Sequence, residues 1–182
     1  MGAGHASIMQ SVLPVFCSDA NAADGFVGTA FRVSNGAVTA SHVVAACRPG
    51  TTISIGGGTG TGTVSTNDWT HDLALVKYQR PWDPMPNTDP DPTPLRLESR
   101  AAHVGEPLAL LGIPEFPLLG NPFKRQVTVV TGHVLATNRT EVLRSATETA
   151  ETLKDAIEVV VPGVAPGESG GPASTWRARL WA

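Results

Sequence analysis

Short apolar runs recur along the chain, each closed by glycine, proline, asparagine or serine. The runs "SVLPVFC" (11–17), "GFVGTAFRV" (25–33), "GAVTAS" (36–41), "TTISIG" (51–56), "GTVST" (62–66) and "LALVKY" (73–78) read as β-strands. Between the second and third, "SNG" (34–36) has the chemistry of a tight hairpin turn. The prolines of "RPWDPMPNTDPDPTP" (80–94) cannot donate to a ladder, so this stretch reads as a connector. Strands resume with "EPLALLG" (106–112), "RQVTVVTGHVLATN" (125–138, long enough for a bent strand or a hairpin) and "AIEVVVP" (156–162). The segment "RSATETAETLKDA" (144–156) is the one stretch that reads as a helix, with a loop as its alternative because its apolar positions are few. The pattern predicts an all-β fold of two small packed barrels, residues 8–80 and 95–182, joined by the connector 81–94.

Composition agrees with this reading and narrows the function. Nineteen glycines and fifteen prolines in 182 residues fit many turns between short strands. With 41% hydrophobic and 16% charged residues, the chain can bury a core and is not a disordered one. A net charge of −3 without a Lys/Arg cluster argues against nucleic acid or an acidic membrane surface as partner. No apolar run is long enough to span a bilayer. The N-terminal stretch "MGAGHASIMQSVLPVF" has neither a positive n-region nor a continuous apolar h-region, so no signal peptide is read. The compartment stays open between the cytoplasm and export under a signal outside this sequence. Cys17 and Cys47 either form one disulfide, if their strands lie adjacent, or remain two buried thiols.

Three stretches carry chemistry when taken together. "TASHVV" places His42 at the end of a small-residue strand, "HDLALV" places Asp72 before an apolar strand, and "GESGGP" places Ser169 among glycines. Hydrolysis by serine needs a base for the hydroxyl proton, a carboxylate to orient the imidazole, and backbone donors for the oxyanion. His42 suits the base, Asp72 the orienter and Ser169 the nucleophile. The glycines around Ser169 let the chain turn sharply and aim the amides of Gly167 and Ser169 into one hole. Such chemistry requires no metal or organic cofactor. His5, His103 and His133 lack any metal-ligand pattern, and His71 is expected to meet solvent or a turn.

These motifs resemble those of the trypsin-like serine peptidases. "TASHVV" is similar to the family's histidine motif, "HDLALV" to its aspartate motif and "GESGGP" to its serine motif. The likeness runs from about residue 11 to Pro172 and is closest to the bacterial HtrA/Deg-type branch. "GTAFRVSNGAVTASHVV", "GEPLALLGIP", "VTVVTGHVLATNR" and "APGESGGP" carry that closer likeness. The resemblance implies two antiparallel six-stranded barrels with the site between them. It also implies a His42–Asp72–Ser169 triad, an oxyanion hole of Gly167 and Ser169 amides, and protein or peptide substrates. Glu168 stands where the family often has Asp or Asn, and Val43 where mammalian-type members have cysteine. No activation sequence precedes "GFVGTAF" and no PDZ-like module follows, so neither a zymogen switch nor cage assembly is expected.

Rival readings turn on the chain after Ser169. "GESGG" also fits the G-x-S-x-G elbow of α/β-hydrolases, but that fold needs an acid and a histidine after its serine. None of the residues after Ser169 is His, Asp or Glu. The trypsin-like family continues through two strands after its serine, and "ASTWRARLWA" (173–182) lacks the alternation and glycine of such a hairpin. Its codons, read one register later, can spell a strand–turn–strand, so a frame-shifted tail is the expectation here. The second barrel is then expected to be incomplete. An inactive protease-like relic or binding module is the alternative to a working endopeptidase, and P1 specificity is not legible.

Overall fold

A computed structural model describes residues 8–17, 25–47, 52–56, 60–79, 94–97, 100–115, 126–144, 150–174 and 180–181. Six strands form the first half: β1 (Val12–Cys17), β2 (Phe26–Val33), β3 (Gly36–Thr39), β4 (Ile53–Ile55), β5 (Gly60–Asp68) and β6 (Leu73–Gln79). They close into a barrel in the order β1-β2-β3-β6-β5-β4, with β1 pairing β4 to seal it. Alternation decides what points inward. Val15, Ala30, Ala37, Ile53, Ile55, Ala74 and Val76 fill the interior, and Val43 and Val44 cap it from the short helix α1 (Ser41–Ala45). Ser34 and Asn35 form the expected turn, with Val33 opposite Gly36. The strand read over 36–41 stops at Thr39, because Ser41 begins α1.

The second half is a five-stranded sheet in the order β11-β10-β7-β8-β9. Its strands are β7 (Pro107–Gly112), β8 (Thr128–Arg144), β9 (Ala150–Val160), β10 (Ala173–Ser174) and β11 (Leu180–Trp181). Ala102, Leu108 and Val134 form its own small core. A further cluster joins the halves: Ile8, Val12 and Phe26 pack against Ala109, Leu111 and Ile113 of the β7 region. Apart from Pro94, the connector lies outside the described residues. Beyond it the chain returns to the first barrel, where the Leu95 amide donates to the Arg32 carbonyl (2.9 Å). Among the described residues no helix is long and apolar enough to cross a membrane.

One expectation is corrected and two are made specific. The helix read over 144–156 is not found in its described residues: β8 runs to Arg144 and β9 covers 150–156, with Arg144 opposite Ala150 and Val142 opposite Thr152, while 145–149 lie outside the described residues. Main-chain pairing with β8, and threonine's fit to a pleated surface, outweigh the segment's weak helical pattern. Of the two readings of 125–138, the bent strand is the one found: β8 runs on from Thr128 as one strand, with register shifts after Val134, Ala136 and Arg139. The second half is incomplete as a barrel, as expected: its sheet is five-stranded and open, with β10 pairing β7 through Ala173–Leu110 and Ser174–Ala109, and β11 pairing β10. Ladder bonds come from the backbone, so this pairing needs no side-chain alternation.

Cys17 and Cys47 are joined as a disulfide, with Cα atoms 5.5 Å apart, so the reading as two buried thiols falls. The bridge ties the end of β1 to the residue two places past α1. Replacing both cysteines by alanine is expected to lower stability by about 2–4 kcal/mol in urea unfolding. Wild-type protein in reductant should reproduce that loss.

Candidate active site

The β5–β6 turn and helix α1 build the first part of the site. The buried Ser41 hydroxyl lies 2.5 Å from Asn67 Oδ1, 3.1 Å from the Asp68 carbonyl and 3.0 Å from the Leu73 carbonyl. The Ser41 amide donates to the Asp72 carbonyl (3.1 Å). The start of α1 is thereby pinned to the turn that carries Asp72. Asp72 adopts a left-handed backbone (φ 53°), an uncommon state for a residue with a side chain. Both its carboxylate oxygens face His42. Oδ1 accepts the His42 amide at 3.0 Å, and Oδ2 lies 2.7 Å from His42 Nδ1. The Asp72 side chain is 17% exposed and that of His42 47%, so a sheltered carboxylate holds a half-exposed ring.

The serine loop is fixed by its carbonyls. The Glu115 amide donates to the Pro166 carbonyl (2.7 Å), and the Gly171 amide to the Glu168 carbonyl (3.1 Å). In a planar trans peptide the N–H points opposite to the C=O. The N–H groups of Gly167 and Ser169, which share those two peptides, therefore face away from these anchors. Neither amide has a hydrogen-bond acceptor among the described residues. The Glu168 carboxylate accepts the Ala165 amide (2.8 Å) through one oxygen and the Thr128 hydroxyl through the other.

Thr29 of β2 fastens this loop to the first barrel. Its buried hydroxyl donates to the Gly167 carbonyl (2.8 Å) and accepts from the Ile113 amide (2.9 Å). Its amide donates to the Ser169 carbonyl (2.9 Å), and its carbonyl accepts the Thr39 hydroxyl (2.6 Å). The approach is close enough to demand glycine. A Cβ on Gly170 (φ 85°) would stand 2.2 Å from the Thr29 carbonyl and 2.9 Å from the Ala40 amide nitrogen. A Cβ on Gly28 would meet both Val43 methyls at 2.8 Å and the Ser169 carbonyl at 3.2 Å. The Ser169 loop thus packs against β2 and α1, beside the residues flanking His42.

Of the singled-out residues, the structure joins His42 to Asp72 directly and seats Ser169, exposed, on the neighbouring loop. A cleft of about 270 Å³ opens beside Ser169, walled by Leu110, Val164 and Ala165. His71 does not simply meet solvent: it is bonded to Asp68 and lies near Asp155. His5 lies outside the described residues, and no three described His, Cys, Asp or Glu side chains could hold a metal. Thr29, Glu115 and the Glu168–Thr128 contact carry no sequence signal of their own. Replacing Thr29 by valine keeps the shape but leaves the Gly167 carbonyl and the Ile113 amide without this partner. A stability loss of about 1–3 kcal/mol is expected in urea unfolding, with serine at position 29 restoring most of it.

The profile of the trypsin-like peptidase domain matches residues 28–179. No curated protein matches the sequence significantly. Among solved structures, the active form of the Rv3671c protease from M. tuberculosis is similar with a TM-score of 0.68 and 23% identity, over 98% of this chain and 70% of that one. Deg5 gives a TM-score of 0.67 and 20% identity, over 97% of this chain and 80% of that one. The HtrA-type protease AlgW, in a structure with a decapeptide, gives 0.64 and 17%, over 97% of this chain and 56% of that one. These likenesses are ones of fold. The profile match spans β3 to β10 and both motif-bearing halves, and on that ground the chain belongs to the trypsin-like peptidases, a family of serine-type endopeptidases, in the fold shared with HtrA-type protease domains.

Proposed function

We propose that this chain hydrolyses peptide bonds through a His42–Asp72–Ser169 triad and an acyl-enzyme intermediate. The observation that carries the reading is the paired contact of Asp72 with His42, at 3.0 Å to the amide and 2.7 Å to Nδ1. With Nδ1–H donating to Asp72, the lone pair of Nε2 is free to take the Ser169 hydroxyl proton. Oγ attacks the scissile carbonyl carbon, and the oxygen of the tetrahedral intermediate takes up negative charge. The Gly167 and Ser169 amides, turned outward by their anchored carbonyls, donate to that oxygen. The imidazolium then protonates the leaving amine, leaving an ester on Ser169. Water, deprotonated through His42, attacks the ester and releases the acid.

The Cys17–Cys47 disulfide supports work in an oxidising compartment. A fluorophosphonate probe tests the proposal: it should label the intact chain and leave Ser169→Ala unlabelled. Asp72→Asn should lower peptidase kcat by roughly 10⁴-fold with the fold retained. Labelling that survives Ser169→Ala would overturn the assignment.

The cleft beside Ser169 is lined by Leu110, Leu111, Val164 and Ala165 together with Glu168, so an anionic side chain entering it would lose water and meet the Glu168 carboxylate. Peptides with an apolar P1 residue should be cut roughly tenfold or more faster than those with Asp there. A matched peptide series compared by kcat/KM checks this.

A further inference from the structure

The turn that holds Asp72 is met from the other half of the molecule by β9. The Lys154 amide donates to the Thr70 carbonyl (2.8 Å) across the two halves. His71, next to Asp72 in the chain, lies between two carboxylates. Its Nδ1 is 2.7 Å from Asp68 Oδ2, and its Nε2 is 3.5 Å from Asp155 Oδ2. Asp68 also gathers the turn itself, with Oδ1 accepting the Thr70 amide (3.0 Å) and the His71 amide (3.3 Å).

The β9 partner is placed for this contact by a bulge. Arg139 stands opposite Ala156 and Glu141 opposite Leu153, so β9 carries one residue more than β8 over this interval. Asp155 within it has a left-handed backbone (φ 53°). Such a bulge releases a main-chain donor from the ladder and re-aims a side chain. Here the released donor is Lys154 N, and the side chain is Asp155.

We propose that His71 is a positioning residue of the peptidase site: protonated, it clasps the β9 bulge to the Asp72 turn, and deprotonated, it lets the bulge go. The proposal rests on the reading of Asp72 as the residue that orients His42. The switch follows from donor arithmetic. An imidazolium has two N–H donors, one for each carboxylate, whereas neutral imidazole has one. The shorter contact keeps that proton on Nδ1 facing Asp68. The Nε2 lone pair then faces Asp155, and the contact turns repulsive.

The charged groups bearing on His71 are Asp68 on its own strand end and Asp155 on β9, with Asp72 and Lys154 their chain neighbours. The hydrogen bond that the His71 ring donates to Asp68 is the main cause that raises the His71 pKa above its ordinary value, with Asp155 adding in the same direction. The Asp68 pKa is lowered by the same bond, so that partner stays ionised while His71 titrates. A raised histidine pKa means the clasp is fully present below the unfolded-state value and lost as pH rises through the folded one. His42 must be neutral to act as base and His71 charged to hold the turn. Activity is then bounded on the acid side by His42 and on the alkaline side by His71.

The test follows three signals in the full chain against pH: the His71 ring by NMR, exchange protection of the Lys154 amide, and the rate of Ser169 labelling by the fluorophosphonate. In the wild type, Lys154 protection and labelling rate should fall together, roughly tenfold each, at the midpoint of the His71 titration. Asp155→Asn, which tolerates the left-handed backbone, should lower the His71 pKa and remove the alkaline limb. Its rate at about pH 7 should equal the wild-type rate at high pH. His71→Lys, still charged at about pH 9, should keep the neutral rate and lose the limb. Lys154 protection that stays constant through the His71 titration would overturn the clasp. So would an Asp155→Asn variant with an unchanged neutral rate and alkaline limb. A wild type that never labels at Ser169 refutes the catalytic reading on which the positioning role rests, while Lys154 protection still decides the clasp itself.

Discussion

The hydroxyl of Thr29 donates to the Gly167 carbonyl and accepts from the Ile113 amide in a place without solvent. One atom therefore touches the barrel that carries His42, the loop that carries Ser169 and the chain leaving β7. The Thr29 amide adds a second tie, to the Ser169 carbonyl. Buried polar groups must be paired, and these pairs form only when the two halves sit in one relative position. The apolar cluster of Ile8, Val12, Phe26, Ala109, Leu111 and Ile113 drives the halves together. It is non-directional, and the Thr29 bonds supply the register.

The same division holds within the site. Small residues make close approach affordable: Gly28 admits the Val43 methyls, and Gly170 admits the Thr29 carbonyl. Polar ties then choose one arrangement. Ser41 pins α1 to the β5–β6 turn, Asp72 grips His42 by amide and ring, and Asp68 gathers the turn beneath. The outward-facing amides of Gly167 and Ser169 are set by their carbonyl anchors at Glu115 and Gly171. In the proposed mechanism these groups would be donors and acceptors already oriented before a substrate arrives.

Much of the first barrel was legible from the chain, because its strands alternate cleanly and its turns carry glycine and asparagine. The strand runs at 11–17, 25–33 and 73–78 lie within a residue or two of β1, β2 and β6. The β8–β9 ribbon was legible only in part: the runs at 125–138 and 156–162 overlap β8 and β9, but Thr152 sits among charged residues, and nothing local says that its stretch will pair with β8. The chain end was read as leaving the second barrel incomplete, and the second sheet is open; the short β10 pairs β7 through its backbone, which no side-chain alternation announces. His71 read as a plain turn histidine, because its partner Asp155 is contributed by the other half of the molecule.

The sequence by itself determined the all-β class, the candidates His42, Asp72 and Ser169, and the glycines that let Ser169 sit on a tight loop. Those features are local: each is a side-chain type within a short motif. Tertiary structure alone decided that Cys17 bonds Cys47, that Thr29 holds Gly167, and that β9 reaches the Asp72 turn. These contacts join residues 30 to 138 positions apart. No local period or propensity encodes such pairings; they appear once apolar burial has closed the halves and each buried donor must find its acceptor.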